Sequence, residues 1–209
     1  MFDFFNKEKS DFLKKKDKSK KGSIDRDVVK LIDEINSKDD FYTSSSCAGR
    51  IVLLDMKSSR KNECNWIFAK HDKVNFKEIN DAIKKHSNDR KSNNEKSNNN
   101  NKLNKKNNYE LWFKQQPLIL HVACRDLESA KIFLETARKI FRRAGIIAIT
   151  ERKITIEIIG SEHLETIVAD KNFVADKFFL KVLIKYANRN FRENKKKINK
   201  FLIEVTNLK

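Results

Sequence analysis

Apolar residues in this chain recur with two different rhythms, and the switches between them outline the elements. In "KKGSIDRDVVKLIDEIN", Val28, Val29, Leu31, Ile32 and Ile35 keep helical spacing behind Ser23, a natural N-cap, which predicts a first helix ending near Asn36. "GRIVLLDM" and "CNWIFAKH" are short runs rich in strand formers and predict a hairpin or neighbouring strand pair. "NFKEINDAIKKH" returns to helical spacing, and "LILHVAC" predicts a buried strand. Asp126 then stands at an N-cap position, Leu127, Ala130, Ile132, Phe133, Ala137, Ile140 and Phe141 share one helical face, and Gly145 is the expected stop. "IIAIT" and the alternating "ITIEII" predict two strands joined by a charged turn over Glu151 to Lys153. From about Val174 onward, one long helix or two carry the apolar stripe Phe179, Leu183, Ala187, Phe191, Ile198, Phe201 and Val205.

This order predicts an α+β fold, a mixed sheet with flanking helices and a long C-terminal helical segment, and it is not Rossmann-like. The strings "CAGRIVLL" and "RAGIIAI" are loosely alike and hint at an internal α-β-β duplication. Two stretches break both rhythms. Residues 1–22 are basic and expected to be mobile. The Asn/Lys-rich insertion at about 87–108 holds too few apolar residues to offset the entropy of ordering and is expected to be disordered. The remainder, 23–209, reads as a single domain.

Charge changes the picture more than length does. Forty-six Lys and Arg against 29 Asp and Glu give +17 and a pI near 9.7, which favours polyanionic partners, nucleic acid before anionic membrane. Along the C-terminal segment Lys181, Lys185, Arg189, Arg192, Lys196 and Lys200 fall near one face, suited either to a phosphate backbone or to plain solvation. No apolar run reaches the roughly 18 residues of a membrane span, and the N-terminus lacks a signal-peptide core, so a cytoplasmic location is expected. Cys47, Cys64 and Cys124 are odd in number and widely spaced, which suits free thiols.

"YTSSSCAGR" is the densest cluster of small polar residues. A serine or cysteine nucleophile there lacks a G-x-S-x-G context. Zinc lacks a C-x-x-C pair, and the alternation of "HVAC" sets His121 and Cys124 on opposite faces. An anion-binding turn through Ala48 and Gly49 into Arg50 suits the residues, as does a turn whose serines satisfy their own backbone; the residues alone leave both open.

Taken in order, "KKGSIDRDVVKLIDEIN", "DDFYTSSSCAGRIVLLD", "WIFAKH", "QPLILHVACRDLESA", "FRRAGI" and "YANRNFRENKKKINKF" resemble the tRNA wybutosine-synthesizing protein 3 family from Lys20 to Phe201, apart from the insertion. The resemblance implies a single catalytic domain that moves a methyl group from S-adenosyl-L-methionine to N4 of the partly built tricyclic base at position 37 of tRNA-Phe. It implies the anticodon loop as partner, with other enzymes of wybutosine biosynthesis as possible neighbours, no membrane, and no metal. The alternative from another class is a non-catalytic RNA-binding protein on the same fold.

On this resemblance His121 is expected to orient substrate or relay a proton, and Ser45, Ser46, Gly49 and Arg50 to hold the cofactor. Tyr42 and Trp66 are expected to receive the unstacked base, with Phe41 as a further aromatic. Arg142, Arg143, Lys153, Arg189 and Lys196 are expected at phosphates, and Asn188 and Asn194 at base edges or a ribose hydroxyl. Three departures stand out: Gln116 where the family tends to have Glu, Ala144 where it has Ser, and no proline in "LETIV".

Overall fold

A computed structural model describes residues 3–14, 25–56, 64–97 and 109–208, for 91–97 the backbone alone. The chain divides into two compact units. The first comprises Met1–Gly49, Pro117–Glu162 and Arg192–Lys209, the second Arg50–Gln116 and His163–Phe191.

The first unit holds α1 (Phe4–Lys14), α2 (Val29–Ser37), β1 (Phe41–Cys47), β5 (Ile119–Cys124), α4 (Leu127–Arg138), β6 (Arg143–Ile149) and β7 (Ile154–Ile159). Its strands form an antiparallel sheet in the order β1-β5-β7-β6. The period-2 pattern decides the faces. Leu120, Val122 and Cys124 of β5 with Ile154, Ile156 and Ile158 of β7 point into a core completed by α2, α4 and the end of α5 (Lys177–Thr206), through Leu31, Ile35, Phe133 and Phe201. Asp126 caps α4 in a reciprocal box with Ser129. The helix stops at Arg138, before the expected Gly145, which lies inside β6. The amides of both Ile140 and Phe141 bond to the Ala137 carbonyl, and this tightened turn drops Phe141 edge-on against Phe201 at 5.5 Å.

The second unit holds β2 (Arg50–Met56), β3 (Cys64–Lys70), α3 (Phe76–Ser97), β4 (Glu110–Gln116), β8 (Leu164–Asp170) and the first half of α5. Its antiparallel sheet runs β3-β2-β4-β8. Ile51, Leu53, Leu111 and Phe113 pack beneath Ile79 and Ile83 of α3 and Leu180, Leu183 and Ile184 of α5. The strand pair "GRIVLLDM" and "CNWIFAKH" is present as β2 and β3. β4 and β8 were not expected as strands.

The architecture is α+β with a long C-terminal helix, as expected, but built on two four-stranded antiparallel sheets in place of one mixed sheet. "CAGRIVLL" leads into an interior strand, β2, whereas "RAGIIAI" is the edge strand β6, so the two similar strings hold non-equivalent places. The N-terminal residues expected to be mobile include helix α1. Phe5 and Phe12 each lie 5.4 Å from the ring of Tyr42, and burying these rings anchors the helix. Ser23 and the rest of 15–24 lie outside the described residues. α3 continues to Ser97, so 87–97 of the expected disordered insertion are helical. Arg90 ties this stretch down by pairing with buried Asp55 at 2.8 Å and lying 4.3 Å over the Tyr109 ring. Residues 98–108 lie outside the described residues.

Candidate active site

The serines of "YTSSSC" belong to a strand rather than a turn. Phe41, Tyr42 and Thr43 are strong strand formers, and they carry the run into pairing with β5. Between Thr43 and Ser45 the register shifts by one residue, a β-bulge that leaves Ser44 as the extra position. Directly paired residues share a face of a sheet. Ser45 pairs with His121 and His121 pairs with Glu157, so three polar side chains line up across β1, β5 and β7 on the face turned away from the core. Nε2 of His121 lies 3.0 Å from Oε1 of Glu157, and the hydroxyl of Ser44 reaches the His121 carbonyl at 3.4 Å. Ser45 is exposed, His121 and Glu157 half-buried, which leaves the row open to a ligand. Cys124 faces the opposite side, as the alternation of "HVAC" predicts, and burial pushes its thiol up to about 12.

The turn after β1 is rigid for identifiable reasons. The buried carboxylate of Asp25 accepts the Ala48 N–H at 2.9 Å, and the Nδ2 of Asn194 donates to the Ala48 carbonyl at 2.8 Å. Gly49 then adopts φ 101°, a conformation that L side chains rarely tolerate. Ser46 pairs with Leu120 and projects toward the helices, away from the face of Ser45. The Ala48 N–H, which an anion-binding turn would keep bare, is therefore occupied by Asp25.

Arg50 opens β2 in the second unit. Its Nε donates to Oε1 of Gln116, the residue paired with it, at 2.7 Å, and its guanidinium lies 4.6 Å over Trp66, which is exposed. Gln116, singled out as a departure, is thus a neutral partner where a glutamate would make a charge-assisted bond.

Other expected contacts are placed differently. Tyr42 is fully buried, its hydroxyl accepting from Nζ of Lys153 at 3.0 Å, so it offers no open ring to a base. Lys153 also donates to Glu8; burial alone would lower its pKa, but these two bonds outweigh that and hold it raised. The bond from Lys153 holds the Glu8 carboxyl below its ordinary range. Asn188 clasps both the N–H and the carbonyl of Val74, and Asn194 accepts from the Leu118 N–H at 2.8 Å besides donating to Ala48. Both amides, expected at base edges, fasten backbone instead, because a buried peptide group without a partner is costly. Arg142 and Arg143 are exposed, Arg189 is exposed with its guanidinium 4.7 Å over Tyr186, and Lys196 is exposed and pairs with Glu193. Glu157 and Asp25 were not singled out from the sequence. The one signal for Glu157 is a charge in the polar phase of "ITIEII", which becomes informative only when β7 is known to lie beside β5.

No helix among the described residues is long and apolar enough to cross a membrane. The family model for Methyltransferase TYW3 matches residues 7–207. The human tRNA wybutosine-synthesizing protein 3 homolog is 32% identical over 203 residues, 94% of this chain and 70% of its own length. An Archaeoglobus fulgidus protein named tRNA(Phe) 7-((3-amino-3-carboxypropyl)-4-demethylwyosine(37)-N(4))-methyltransferase is 31% identical over 96% of this chain and 91% of its own. The solved structure of the PH1069 protein from Pyrococcus horikoshii is similar with a TM-score of 0.73 at 26% identity, covering 88% of this chain and 87% of that one. With a match that runs through both units and nearly end to end, this chain belongs to the TYW3 methyltransferase family.

Proposed function

We propose that this protein methylates N4 of the 7-(3-amino-3-carboxypropyl)-4-demethylwyosine base at position 37 of tRNA(Phe), using S-adenosyl-L-methionine as donor. The observation that carries the reading is the 31% identity, over 96% of this chain, to the Archaeoglobus protein named for that reaction. Position 37 lies in the unpaired anticodon loop, where a base leaves its stack without breaking a pair.

The row fits an amino-acid moiety: the Glu157 carboxylate complements an ammonium, and the Ser45 hydroxyl complements a carboxylate. S-adenosylmethionine supplies an electrophilic methyl group, and both it and the acceptor base carry such a moiety. The chain's own contribution is to fix orientation and take a proton. When Glu157 accepts from Nε2–H of His121, Nδ1 is left as the acceptor that can take the proton N4 loses on methylation. The Ala48–Gly49 turn, pinned by Asp25 and Asn194, keeps the end of β1 from shifting beneath the row. Arg142, Arg143, Arg189 and Lys196 are exposed cations that meet RNA phosphates.

Incubating the protein with methyl-labelled S-adenosylmethionine and tRNA(Phe) bearing the 4-demethyl precursor tests the reading. Label is expected in the nucleoside from position 37. Retention of the tRNA without transfer of label would replace this reading with that of an RNA-binding protein.

A further inference from the structure

The chain has only two tryptophans, Trp66 and Trp112, and the fold sets them on the same face of the same sheet. Leu54 of β2 is paired with Trp66 of β3 on one side and with Trp112 of β4 on the other, so both indoles share its face. This is the face opposite the core residues Ile51, Leu53 and Phe113. Two strand spacings separate the tryptophan backbones by about 10 Å. Trp66 is 44% exposed and Trp112 is half-buried. Each ring also has a cation beside it: Arg50 lies 4.6 Å over Trp66 and Lys114 lies 5.0 Å over Trp112. Acidic groups complete the surface, Glu110 accepting from the Trp112 Nε1–H at 2.9 Å and Glu165 pairing with Lys114 at 3.1 Å.

The apolar side of this sheet is filled by α3 and α5 without the indoles, which flank buried Val52 and Leu54 on the other side while Trp66 stays well exposed. We propose that this sheet face is a stacking platform for unpaired nucleobases of the RNA substrate, with Trp66 and Trp112 as its two ring surfaces. The bond to Glu110 fixes the plane of the Trp112 indole, so its orientation is set before a base arrives. Arg50 and Lys114 put a positive charge beside each ring, suited to the phosphate of a stacked base. The occupant is a single strand, since two tryptophans on strands about 10 Å apart suit splayed bases and not the edge of a helical stack. The partner follows from the charge of +17 and from the substrate proposed above, and the inference rests on that reading.

Because no other tryptophan exists in the chain, selectively excited tryptophan emission reports this face alone. The full chain is titrated with unmodified tRNA(Phe) transcript and, separately, with an unstructured oligoribonucleotide, while filter retention measures binding independently. Both RNAs are expected to quench the emission. Trp66→Ala and Trp112→Ala are each expected to weaken retention between about fivefold and 150-fold, the equivalent of one stacked base, while the Phe variants stay close to the unaltered chain. Thermal melts identify any variant that fails to fold, and quenching in the unaltered protein needs no variant. RNA retained at full affinity with unchanged emission would overturn the platform and leave RNA as substrate. Failure to retain either RNA would also overturn the platform, whereas the methyl-transfer assay on precursor tRNA decides the reaction independently.

Discussion

The imidazole of His121 and the carboxylate of Glu157 meet at 3.0 Å across the two inner strands of their sheet. The contact follows from register, since the two residues are directly paired. If it orients the ring for proton transfer, His121→Ala lowers the single-turnover rate of methyl transfer by roughly 10²- to 10⁴-fold. Glu157→Gln keeps a hydrogen bond but loses the charge, and is expected to fall between that variant and the unaltered enzyme. Rates in both variants equal to the original would remove the pair from the chemistry.

Asn194 is a matter of stability rather than recognition. Its amide satisfies the Leu118 N–H and the Ala48 carbonyl, both deep in the first unit. Asn194→Ala leaves them without that partner and is expected to lower the free energy of unfolding by roughly 1–3 kcal/mol, read from urea midpoints. Gly160→Ala should act on the same place by overpacking, because an added Cβ would sit 2.7 Å from that of Pro117 and 3.1 Å from Oδ1 of Asn194. An unchanged midpoint in both would show that this corner relaxes freely.

The cap of α4 carries a pH signature. The Ser129 N–H bond holds the Asp126 carboxyl below its ordinary value of 3.8. A carboxyl lowered on folding stabilises the native state above its unfolded pKa, and that contribution is lost as pH falls through the lowered folded value. Asp126→Ala is therefore expected to cost about 0.5–2 kcal/mol at neutral pH, with the gap closing below about pH 4. A gap that stays constant down to pH 2.5 would mean that the charge contributes nothing.

Cys124 should be inert while the protein is folded. Its thiol is buried and pushed up to about 12, so almost no thiolate exists at pH 8. Iodoacetamide at that pH, followed by peptide mass analysis, should leave Cys124 unlabelled natively and label it in urea. Native labelling of Cys124 at the rate of a free thiol would contradict its placement in the core.

Local signals carried the sequence reading a long way. The 3.6-residue spacing of α2 and α4, the Asp126 cap and the alternation of β7 all depend on near neighbours, and all were legible. β4 and β8 were hidden because their pattern is mixed by outward residues such as Trp112 and Glu165, whose sense depends on strands far along the chain. The continuation of α3 to Ser97 was hidden for a similar reason: a polar helix looks disordered until Arg90 finds Asp55. In the site, "SSSC" and His121 were visible as residues. That Ser45 stands opposite His121, and Glu157 beyond it, is a consequence of strand order, and no local pattern specifies that. Asn194 was misread toward RNA because an asparagine among lysines gives no sign of the backbone it will clasp.

The extra residue in β1 bears on how this strand tolerates change. Omitting Ser44 would leave Thr43 opposite Val122 and Ser45 opposite His121, so the ladder would close without a gap and every apolar side chain would keep its side. The sheet itself has no need of that position. A chain shortened by this one serine should fold and melt much as before while losing the hydroxyl that touches the His121 carbonyl and the local bend that aims its neighbour. Here a length difference of one residue separates what the sheet needs in order to pair from what sets the aim of the row of Ser45, His121 and Glu157.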